Sequence, residues 1–374
     1  MPLTRLEIEA REERNLAPYA ARSAESRGRV YPQEKHPLRT DFQRDRDRII
    51  HCAAFRRLDY KTQVFIPHEG DHFRTRLTHT IEVAQIARTL ARCLQLNEDL
   101  SEAIALCHDL GHTPFGHSGE DVLDELLRPL GGFNHNRQSL RIVDMLENRY
   151  PSHLGLNLTY EVREGIVKHE TTVKLHPPGF DLSEQPTLEA ALVDIADEIA
   201  YNSHDIDDGL ASGFIDMDAL QAAPFWEGLG LENVPEWPDG QYRYALIRKL
   251  VDRMTTDVIE ETSRAVNEFD IRTLADVRKC ARSIAGYSSG MQAQVSSVKS
   301  FLKEHLYQHP NLQERTREAE TILRTLWEKL NKDTLSLPDK FRMRVGDEPS
   351  EVVIADYIAG MTDRYAREMF RRLS

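Results

Sequence analysis

The sequence lacks the features of a membrane-spanning or disulfide-bonded protein. No run of about 18 consecutive apolar residues occurs among its 374 residues, which argues against a transmembrane helix. Its four cysteines show neither a CxxC motif nor paired spacing, so we expect reduced thiols. The N-terminus is densely charged and has no apolar core of a signal peptide. From these absences we expect a cytoplasmic protein.

Positive charge is also scarce. The chain carries 48 Lys and Arg against 61 Asp and Glu, a formal net charge of −13. A surface of this sign repels polyanions and argues against broad nucleic-acid binding. It is compatible with a small anionic substrate, because a metal ion and a few arginines can make one cleft locally positive. The histidines are unevenly distributed: seven of the 15 fall between His68 and His135, and such clustering indicates a site.

Alternating β-branched patterns are scarce, whereas segments with helical periodicity dominate the chain. The sequence therefore predicts an all-α fold. The predicted helices are 77–94, 100–110, 118–127, 136–149, 188–203, 242–269, 296–304, 312–330 and 351–372. Ser118 to Asp121 has the pattern of a capping box that opens the third of these helices. The Pro- and Gly-rich stretches 175–186 and 224–240 are predicted to be loops.

The dipeptide His108-Asp109 ends an otherwise apolar helical segment. Neighbouring positions of a helix point about 100° apart, so both side chains reach one ion only at their shared edge. Two further ligands must then come from other helices, and the candidates are His79 and Asp197. A His-Asp pair in a helix is usually structural, but unpaired charges on apolar helices would be costly. The combination favours a metal site.

Two imidazoles and two carboxylates form a mixed ligand set that leaves coordination positions open for water and a phosphate oxygen. Such a set accepts several divalent metals. We expect manganese or magnesium, with iron, nickel and zinc as alternatives that the ligands do not exclude.

Around these residues the sequence resembles the HD superfamily of phosphohydrolases, and most closely the bacterial deoxyguanosinetriphosphate triphosphohydrolase-like family. The resemblance extends from about residue 29 to the end. It is carried by FRRLDYKTQVF (55–65), RTRLTHT (74–80), HDLGHTPFGHSGE (108–120), GFNHN (132–136), ADEIAY (196–201) and DYIAGMTDRY (356–365). It implies an N-terminal extension at 1–28 and an HD-type domain at 29–374. The HD core would lie at about 72–210 and further C-terminal helices at about 240–374.

The resemblance implies cleavage of a deoxynucleoside triphosphate at the α-phosphorus, giving the deoxynucleoside and inorganic triphosphate. It also implies that His117 and Glu120 form a catalytic pair, in which Glu120 fixes the tautomer of His117. His135 would be a second imidazole that faces the phosphates. His112 and His117 are predicted to lie in the loop just beyond the helix that ends at His108-Asp109. His112 is either catalytic or a structural hydrogen-bonding group. Spacing does not decide which histidine donates the proton.

The same resemblance implies residues that bind the substrate. Arg76 precedes His79 by one helical turn, where its guanidinium can contact phosphate oxygens. Tyr201 and Asp205 would lie against the sugar, with Asp205 available to the 3′-hydroxyl and Tyr201 near C2′. Gln63 is a further candidate for a sugar contact.

The resemblance also has implications for oligomeric state and regulation. Members commonly form tetramers or hexamers, and some bind an activating nucleotide between subunits, for which Arg44, Arg48 and Arg57 are candidates. For Arg46 we expect only a solvated helix face. Three other functions stay open: an HD phosphohydrolase acting on another nucleotide, a non-catalytic nucleotide sensor, and a single-stranded nucleic-acid binder, which the net charge of −13 disfavours.

Overall fold

A computed structural model describes residues 2–63, 74–169, 177–226 and 241–373. These residues form α-helices joined by 3₁₀ and π turns, and within these ranges no β-strand forms, only isolated bridges. The predicted all-α fold is confirmed. In chain order the α-helices are α1 Arg5–Asn15, α2 Asp41–Ile50, α3 Ala53–Arg57, α4 Arg76–Cys93, α5 Glu98–Cys107, α6 Gly116–Leu127, α7 His135–Arg141, α8 Tyr160–Lys168, α9 Leu188–Ala211, α10 Met217–Gln221, α11 Gln241–Glu268, α12 Leu274–Lys279, α13 Ser289–Leu302, α14 Pro310–Lys332, α15 Asp339–Arg342, α16 Ser350–Ala359 and α17 Asp363–Leu373.

The chain divides into two compact units, each assembled from separated segments. The first unit comprises Met1–Ile49, His79–Leu106 and Asn157–His309. The second unit comprises Ile50–Thr78, Cys107–Leu156 and Pro310–Ser374.

The first unit is organised around α9, against which α11, α13 and α8 pack. Thr187 caps this helix by accepting a hydrogen bond from the Ala190 N–H at 3.2 Å. Apolar positions such as Leu192, Val193 and Ile199 are completely buried, so packing fixes the helix along its length. Its polar residues are thereby held on a rigid support.

The second unit is built on α14, whose apolar residues recur at helical spacing and pack against α6, α16 and α17. Leu323 and Leu326 of α14, Leu123 of α6 and Ile358 of α16 are all fully buried in one cluster. This packing fixes α6, which begins just beyond the loop of residues 112–115.

The structure corrects the predicted helix at 100–110. Helix α5 ends at Cys107, and His108–Gly111 form a 3₁₀ turn. The tighter turn is held from α7, because the Ser139 hydroxyl accepts a hydrogen bond from the Gly111 N–H (2.8 Å) and donates one to the His108 carbonyl (2.9 Å).

The capping box predicted at Ser118 is wrong. Helix α6 begins earlier, at Gly116, directly after Phe115, whose backbone is left-handed with φ of 63°. The Ser118 hydroxyl instead lies 3.2 Å from the hydroxyl of Thr316. The helix therefore starts at the left-handed turn of Phe115 and has no side-chain cap.

Two further predicted helices are interrupted, and one predicted loop lies largely outside the described residues. The segment 136–149 forms α7 followed by a π turn at Ile142–Leu146. The segment 351–372 forms α16 and α17, separated at Gly360. Residues 177–186 contain no helix, as expected for a loop, whereas 175–176 and 227–240 are not among the described residues.

A buried carboxyl group of the first unit gives its stability a pH dependence. Glu189 is fully buried at the start of α9, and its Oε1 accepts hydrogen bonds from the Ala21 and Asn97 N–H groups, both at 3.0 Å. Burial raises the pKa of this carboxyl from 4.5 to about 7. The folded protein therefore keeps a proton that the unfolded chain loses, and the free energy of unfolding falls as the pH rises from about 4.5 to about 7.

We expect Glu189→Gln to remove this contribution, because the amide keeps an acceptor oxygen and does not ionise. Above pH 7 the variant should be more stable than the parent by up to about 3 kcal/mol, roughly 1.4 kcal/mol for each pKa unit. The melting temperatures of both proteins, measured between pH 5 and 8, check this. Parallel curves would show that Glu189 is ionised in the folded protein.

Candidate active site

In the first unit, His79 of α4 and Asp197 of α9 face each other. The His79 Nε2 lies 2.8 Å from the Asp197 Oδ1, and the imidazole is only 1% exposed. The second oxygen of Asp197 lies 3.6 Å from the Nε2 of His169, the residue that follows α8. An imidazole thus approaches each oxygen of this carboxylate, and two of the four predicted metal ligands are in direct contact.

His169 was not predicted from the sequence. Its Nδ1 lies 2.5 Å from the Asp194 Oδ1, one helical turn before Asp197. Burial opposes protonation of this ring, but the charges of Asp194 and Asp197 outweigh it and raise the pKa of His169 well above its ordinary value. The sequence signal would have been the acidic pair at i and i+3 on an otherwise apolar helix.

In the second unit, the 3₁₀ turn holds His108 and Asp109 in a buried position. The Asp109 Oδ2 accepts a hydrogen bond from the Arg76 Nη1 at 2.8 Å. The Oδ1 lies 3.3 Å from the His108 Nε2 and 3.1 Å from the His112 Nε2. Burial opposes ionisation of Asp109, but the neighbouring His108, Arg76 and His112 outweigh it and hold its pKa well below the ordinary value.

Arg76 is committed to this turn. Its side chain is 2% exposed, and its Nε donates a 3.1 Å hydrogen bond to the Thr62 carbonyl. The guanidinium therefore orients the Asp109 carboxylate, while its predicted contact with phosphate stays a prediction.

Three histidines surround Glu120 near the start of α6. The His135 Nδ1 lies 2.9 Å from the Glu120 Oε1, which also accepts the His135 backbone N–H at 2.8 Å. The His117 Nδ1 is 3.4 Å and the His112 Nδ1 4.0 Å from the Oε2. The rings of His112 and His135 stack, with centroids 4.0 Å apart. The predicted catalytic residues are thus brought into one cluster.

The environments within this cluster separate the pKa values of its members. Burial opposes ionisation of Glu120, but hydrogen bonds from His117 and His135 outweigh it and hold the pKa of Glu120 well below its ordinary value. The bond to Glu120 raises the pKa of His117. Burial, together with the charges of Arg76 and His135, lowers the pKa of His112 well below its ordinary value. His117 also differs in exposure, because 75% of its side chain is accessible.

The histidine loop, residues 112–115, is tied to the C-terminal helices of the second unit. Of the three histidines it carries His112, whereas His117 lies on α6 and His135 begins α7. The Asp363 Oδ1, at the start of α17, accepts the Phe115 N–H at 3.0 Å, and its Oδ2 accepts the Thr62 N–H at 2.9 Å. Lys61 donates hydrogen bonds to the carbonyls of His112 and of Ala359, the latter at 2.9 Å. Burial, aided by the nearby Arg57 and Arg76, lowers the pKa of Lys61 to about 7.

Gly111 permits close contact between the 3₁₀ turn and α7. A Cβ atom at this position would lie 2.1 Å from the His135 carbonyl oxygen and 2.3 Å from the Ser139 nitrogen. No side chain fits there, so the glycine allows His135 to approach the turn that bears His108 and Asp109.

The predicted sugar-binding residues lie in both units. In the first, Tyr201 and Asp205 follow Asp197 along α9, and the Tyr307 hydroxyl donates a hydrogen bond to the Asp205 Oδ2. Tyr307 was not predicted, because the contact joins distant parts of the chain. In the second, the Gln63 Oε1 is buried and has no hydrogen-bond partner among the described residues.

The imidazole–carboxylate contacts described within each unit are chemically suited to a divalent metal, which prefers neutral imidazole nitrogen and carboxylate oxygen donors. Within the second unit, donor atoms of His112, His117 and Glu120 also lie within 4.8 Å of one another. The chain therefore contains histidine and carboxylate groups that could hold a metal ion.

Known proteins are similar to this chain over nearly its whole length. A Geobacter sulfurreducens protein named deoxyguanosinetriphosphate triphosphohydrolase-like protein is 48% identical over 369 residues, covering 97% of this chain and 96% of its own. Proteins of the same name from Ralstonia nicotianae and Azoarcus sp. are 48% and 49% identical, and each match covers 96% of this chain and 95% or 96% of the relative. The chain belongs to this deoxyguanosinetriphosphate triphosphohydrolase-like family.

Two domain families match separate ranges of the chain. The HD domain matches residues 76–202, a range that includes all four predicted metal ligands. A phosphohydrolase-associated domain matches residues 285–372, and these include Asp363, which holds the histidine loop. The chain is thus a hydrolase of the HD phosphohydrolase type.

The arginines predicted for an activating nucleotide have local partners. Arg48 is 9% exposed and donates a 2.5 Å hydrogen bond to the Gln33 Oε1, and Arg44 donates one to the Glu34 carbonyl at 2.9 Å. Arg57 lies 3.9 Å from the Glu147 carboxylate. Arg46 pairs with Asp99 and Glu102 and, within its own helix, with Asp47 at 3.5 Å.

Among the described helices, none is both long and apolar enough to cross a membrane.

We expect Asp363→Ala to destabilise the second unit, because it leaves the Phe115 and Thr62 donors without their acceptor. Each buried donor without a partner costs about 1–3 kcal/mol. Thermal unfolding should therefore begin several degrees lower than in the parent. The matched control is Asp339→Ala, because the Asp339 side chain is 81% exposed and pairs only with Arg342 among the described ion pairs. Equal melting temperatures for the two variants would contradict this role of Asp363.

Proposed function

We propose that the protein hydrolyses deoxynucleoside triphosphates at the α-phosphorus, releasing the deoxynucleoside and inorganic triphosphate. The observation that supports it best is the cluster of His112, His117 and His135 around Glu120. An HD phosphohydrolase whose active site consists only of the four metal ligands does not need these additional imidazoles. The 48% identity to relatives named as triphosphohydrolase-like proteins favours the same activity.

The proposed metal ligands are His79, His108, Asp109 and Asp197. Support comes from the pairing of His79 with Asp197 in the first unit and of His108 with Asp109 in the second. A bound divalent cation would neutralise negative charge on the triphosphate and lower the pKa of water. Manganese or magnesium is the proposed metal.

His117 is the proposed proton donor. Glu120 accepts a hydrogen bond from the His117 Nδ1, so the His117 Nε2 is the nitrogen that can carry a proton towards a substrate. Its raised pKa keeps the ring protonated to a higher pH, and its exposure gives access to a ligand. His135 shares the same carboxylate but is 6% exposed and stacked on His112, which favours a role in orienting Glu120 and facing the phosphates.

Water, His117 and Glu120 account for every bond and proton that changes in the proposed reaction. A water oxygen attacks the α-phosphorus, the bond from this phosphorus to the 5′-oxygen breaks, and the 5′-oxygen receives the proton held on the His117 Nε2. The proton lost by the attacking water restores the donor for the next cycle. Glu120 stays ionised throughout, because its low pKa suits a carboxylate that stabilises an imidazolium.

Deoxyribose recognition is assigned to Tyr201 and Asp205. The Asp205 carboxylate already accepts the Tyr307 hydroxyl, and an ionised carboxylate has capacity for a further donor such as a 3′-hydroxyl. Tyr201 precedes it by one helical turn on α9 and would lie against C2′, where an extra hydroxyl would clash. A homo-oligomer, a cytoplasmic location and an activating nucleotide stay predictions from the family resemblance.

The product identifies the bond that is cleaved. We expect each deoxynucleoside triphosphate, incubated with the protein and Mn²⁺ or Mg²⁺, to yield inorganic triphosphate and deoxynucleoside. His108→Ala and Asp109→Ala should abolish both metal binding and turnover. Release of pyrophosphate or monophosphate would instead favour an HD phosphohydrolase of another specificity, and tight nucleotide binding without turnover would favour a nucleotide sensor.

The role of His117 is tested by its effect on rate and pH. We expect His117→Ala to lower kcat by about 10²–10⁴-fold and to leave Mn²⁺ affinity unchanged. In the parent, kcat should fall as the pH rises through the raised pKa of His117, because the donor is then deprotonated. Glu120→Gln weakens the acceptor that raises this pKa, so the fall should begin at a lower pH.

The control for both variants is His51→Ala, which removes an exposed histidine outside the cluster. A His117→Ala enzyme with the kcat of this control would assign the proton transfer to another group. An alkaline limb unchanged in Glu120→Gln would contradict the coupling between His117 and Glu120.

A further inference from the structure

Two side chains of the first unit continue the contact between His79 and Asp197 away from the proposed metal. The His79 Nε2 faces Asp197, and its other ring nitrogen, Nδ1, lies 3.4 Å from the Nδ1 of His204. The far nitrogen of His204, Nε2, lies 2.7 Å from the Glu82 Oε2. The groups thus form the series Glu82, His204, His79.

One arrangement of protons in this series prepares His79 to bind a metal. A carboxylate accepts only, so the His204 Nε2 must carry a hydrogen, and in the neutral ring the Nδ1 is then an acceptor. That acceptor requires the His79 Nδ1 to be the donor. The His79 Nε2, which lies 2.8 Å from the Asp197 Oδ1, would then offer its lone pair to a metal ion held between the two groups, in the tautomer that a metal ligand needs.

Helix geometry produces the series. His79 and Glu82 are one turn apart on α4, and both contact His204 of α9. His204 follows Asp197 by seven residues, which is two turns and the same helix face. Helix α9 therefore supplies both a proposed ligand and the group that orients the partner ligand. His79 and His204 are buried, at 1% and 5% exposure, whereas the Glu82 side chain is 42% exposed and meets solvent at the end of the series.

We propose that His204, anchored by Glu82, is a positioning residue that holds His79 in the orientation and tautomer required for metal binding. This inference rests on the proposed function, because it takes His79 to be a ligand. The alternative is a purely structural role, in which the ion pair of Glu82 and His204 joins α4 to α9. The two differ in what they predict for metal affinity, which a purely structural contact would not change.

Variants of His204 separate these readings. We expect His204→Ala to weaken Mn²⁺ affinity by about 10–100-fold, measured by calorimetric titration of the full chain. His204→Asn should recover most of this loss, because its amide oxygen stands where the Nδ1 acceptor stood. Glu82→Gln should weaken affinity by a smaller factor in the parent and have no further effect in the His204→Asn background, where the series is interrupted.

The control is Glu198→Gln. Glu198 lies beside Asp197 on α9 and pairs with Lys299, so this change removes a neighbouring negative charge without touching the series. We expect its Mn²⁺ affinity to match the parent. A loss equal to that in Glu82→Gln would mean that general electrostatics, not the series, sets the affinity, and would overturn the inference.

A spectroscopic measurement reports the tautomer directly. With ¹⁵N-labelled histidine and Zn²⁺ as a diamagnetic probe, His79 should show a protonated Nδ1 and a metal-bound Nε2 in the parent. In the metal-free protein, where the Asp197 carboxylate favours a proton on the Nε2, His204→Ala should lower the fraction of His79 that carries its proton on the Nδ1. An unchanged His79 signal in that variant would overturn the positioning role.

The outcomes also separate this inference from the function on which it rests. If the parent binds Mn²⁺ and releases triphosphate while His204→Ala binds Mn²⁺ equally tightly, only the positioning role fails. If His79→Ala retains the parent's Mn²⁺ affinity, the ligand assignment and this inference fail together.

Discussion

The candidate active site depends on the buried carboxylate of Asp109. A charge so deep in a protein is tolerated only when it is paired and hydrogen-bonded, and Asp109 has Arg76 on one oxygen and His108 and His112 on the other. Arg76 is in turn held by the Thr62 carbonyl. The 3₁₀ turn that presents Asp109 is fixed from α7 by Ser139, and Gly111 leaves the space for that contact. The surrounding chain is thus arranged to keep one charge ionised where water is excluded.

This arrangement makes the C-terminal segment part of the site. Asp363 ties Phe115 and Thr62, and Asp356 accepts hydrogen bonds from Gln138 at 2.9 Å and from the Arg141 Nη2 at 2.6 Å on α7. The phosphohydrolase-associated domain therefore holds both the histidine loop and the helix that begins at His135. Deleting it would remove the carboxylates that accept hydrogen bonds from Phe115, Thr62 and α7.

The sequence predicted the fold class and the cluster of histidines around Glu120, because both depend on patterns that are local in the sequence. Helical periodicity identified the apolar helices, and the family motif identified Glu120 and its histidines. It did not predict the 3₁₀ turn at His108, because the hydrogen bonds that form it come from Ser139, 31 residues away. Lys61, Asp363 and His204 were missed for the same reason: their partners are distant in sequence, and only the packing of helices brings them together.

Three similar histidines acquire different properties from their surroundings. Around Glu120, burial and the charge of Arg76 keep His112 neutral, whereas the bond to the carboxylate makes exposed His117 a stronger base. Separating the pKa values of neighbouring groups is how a site assigns distinct acid, base and structural roles. A neutral His112 can donate to Asp109 and stack on His135 without adding a second positive charge beside Arg76. The raised pKa thus belongs to His117, which is also the most exposed imidazole of the three.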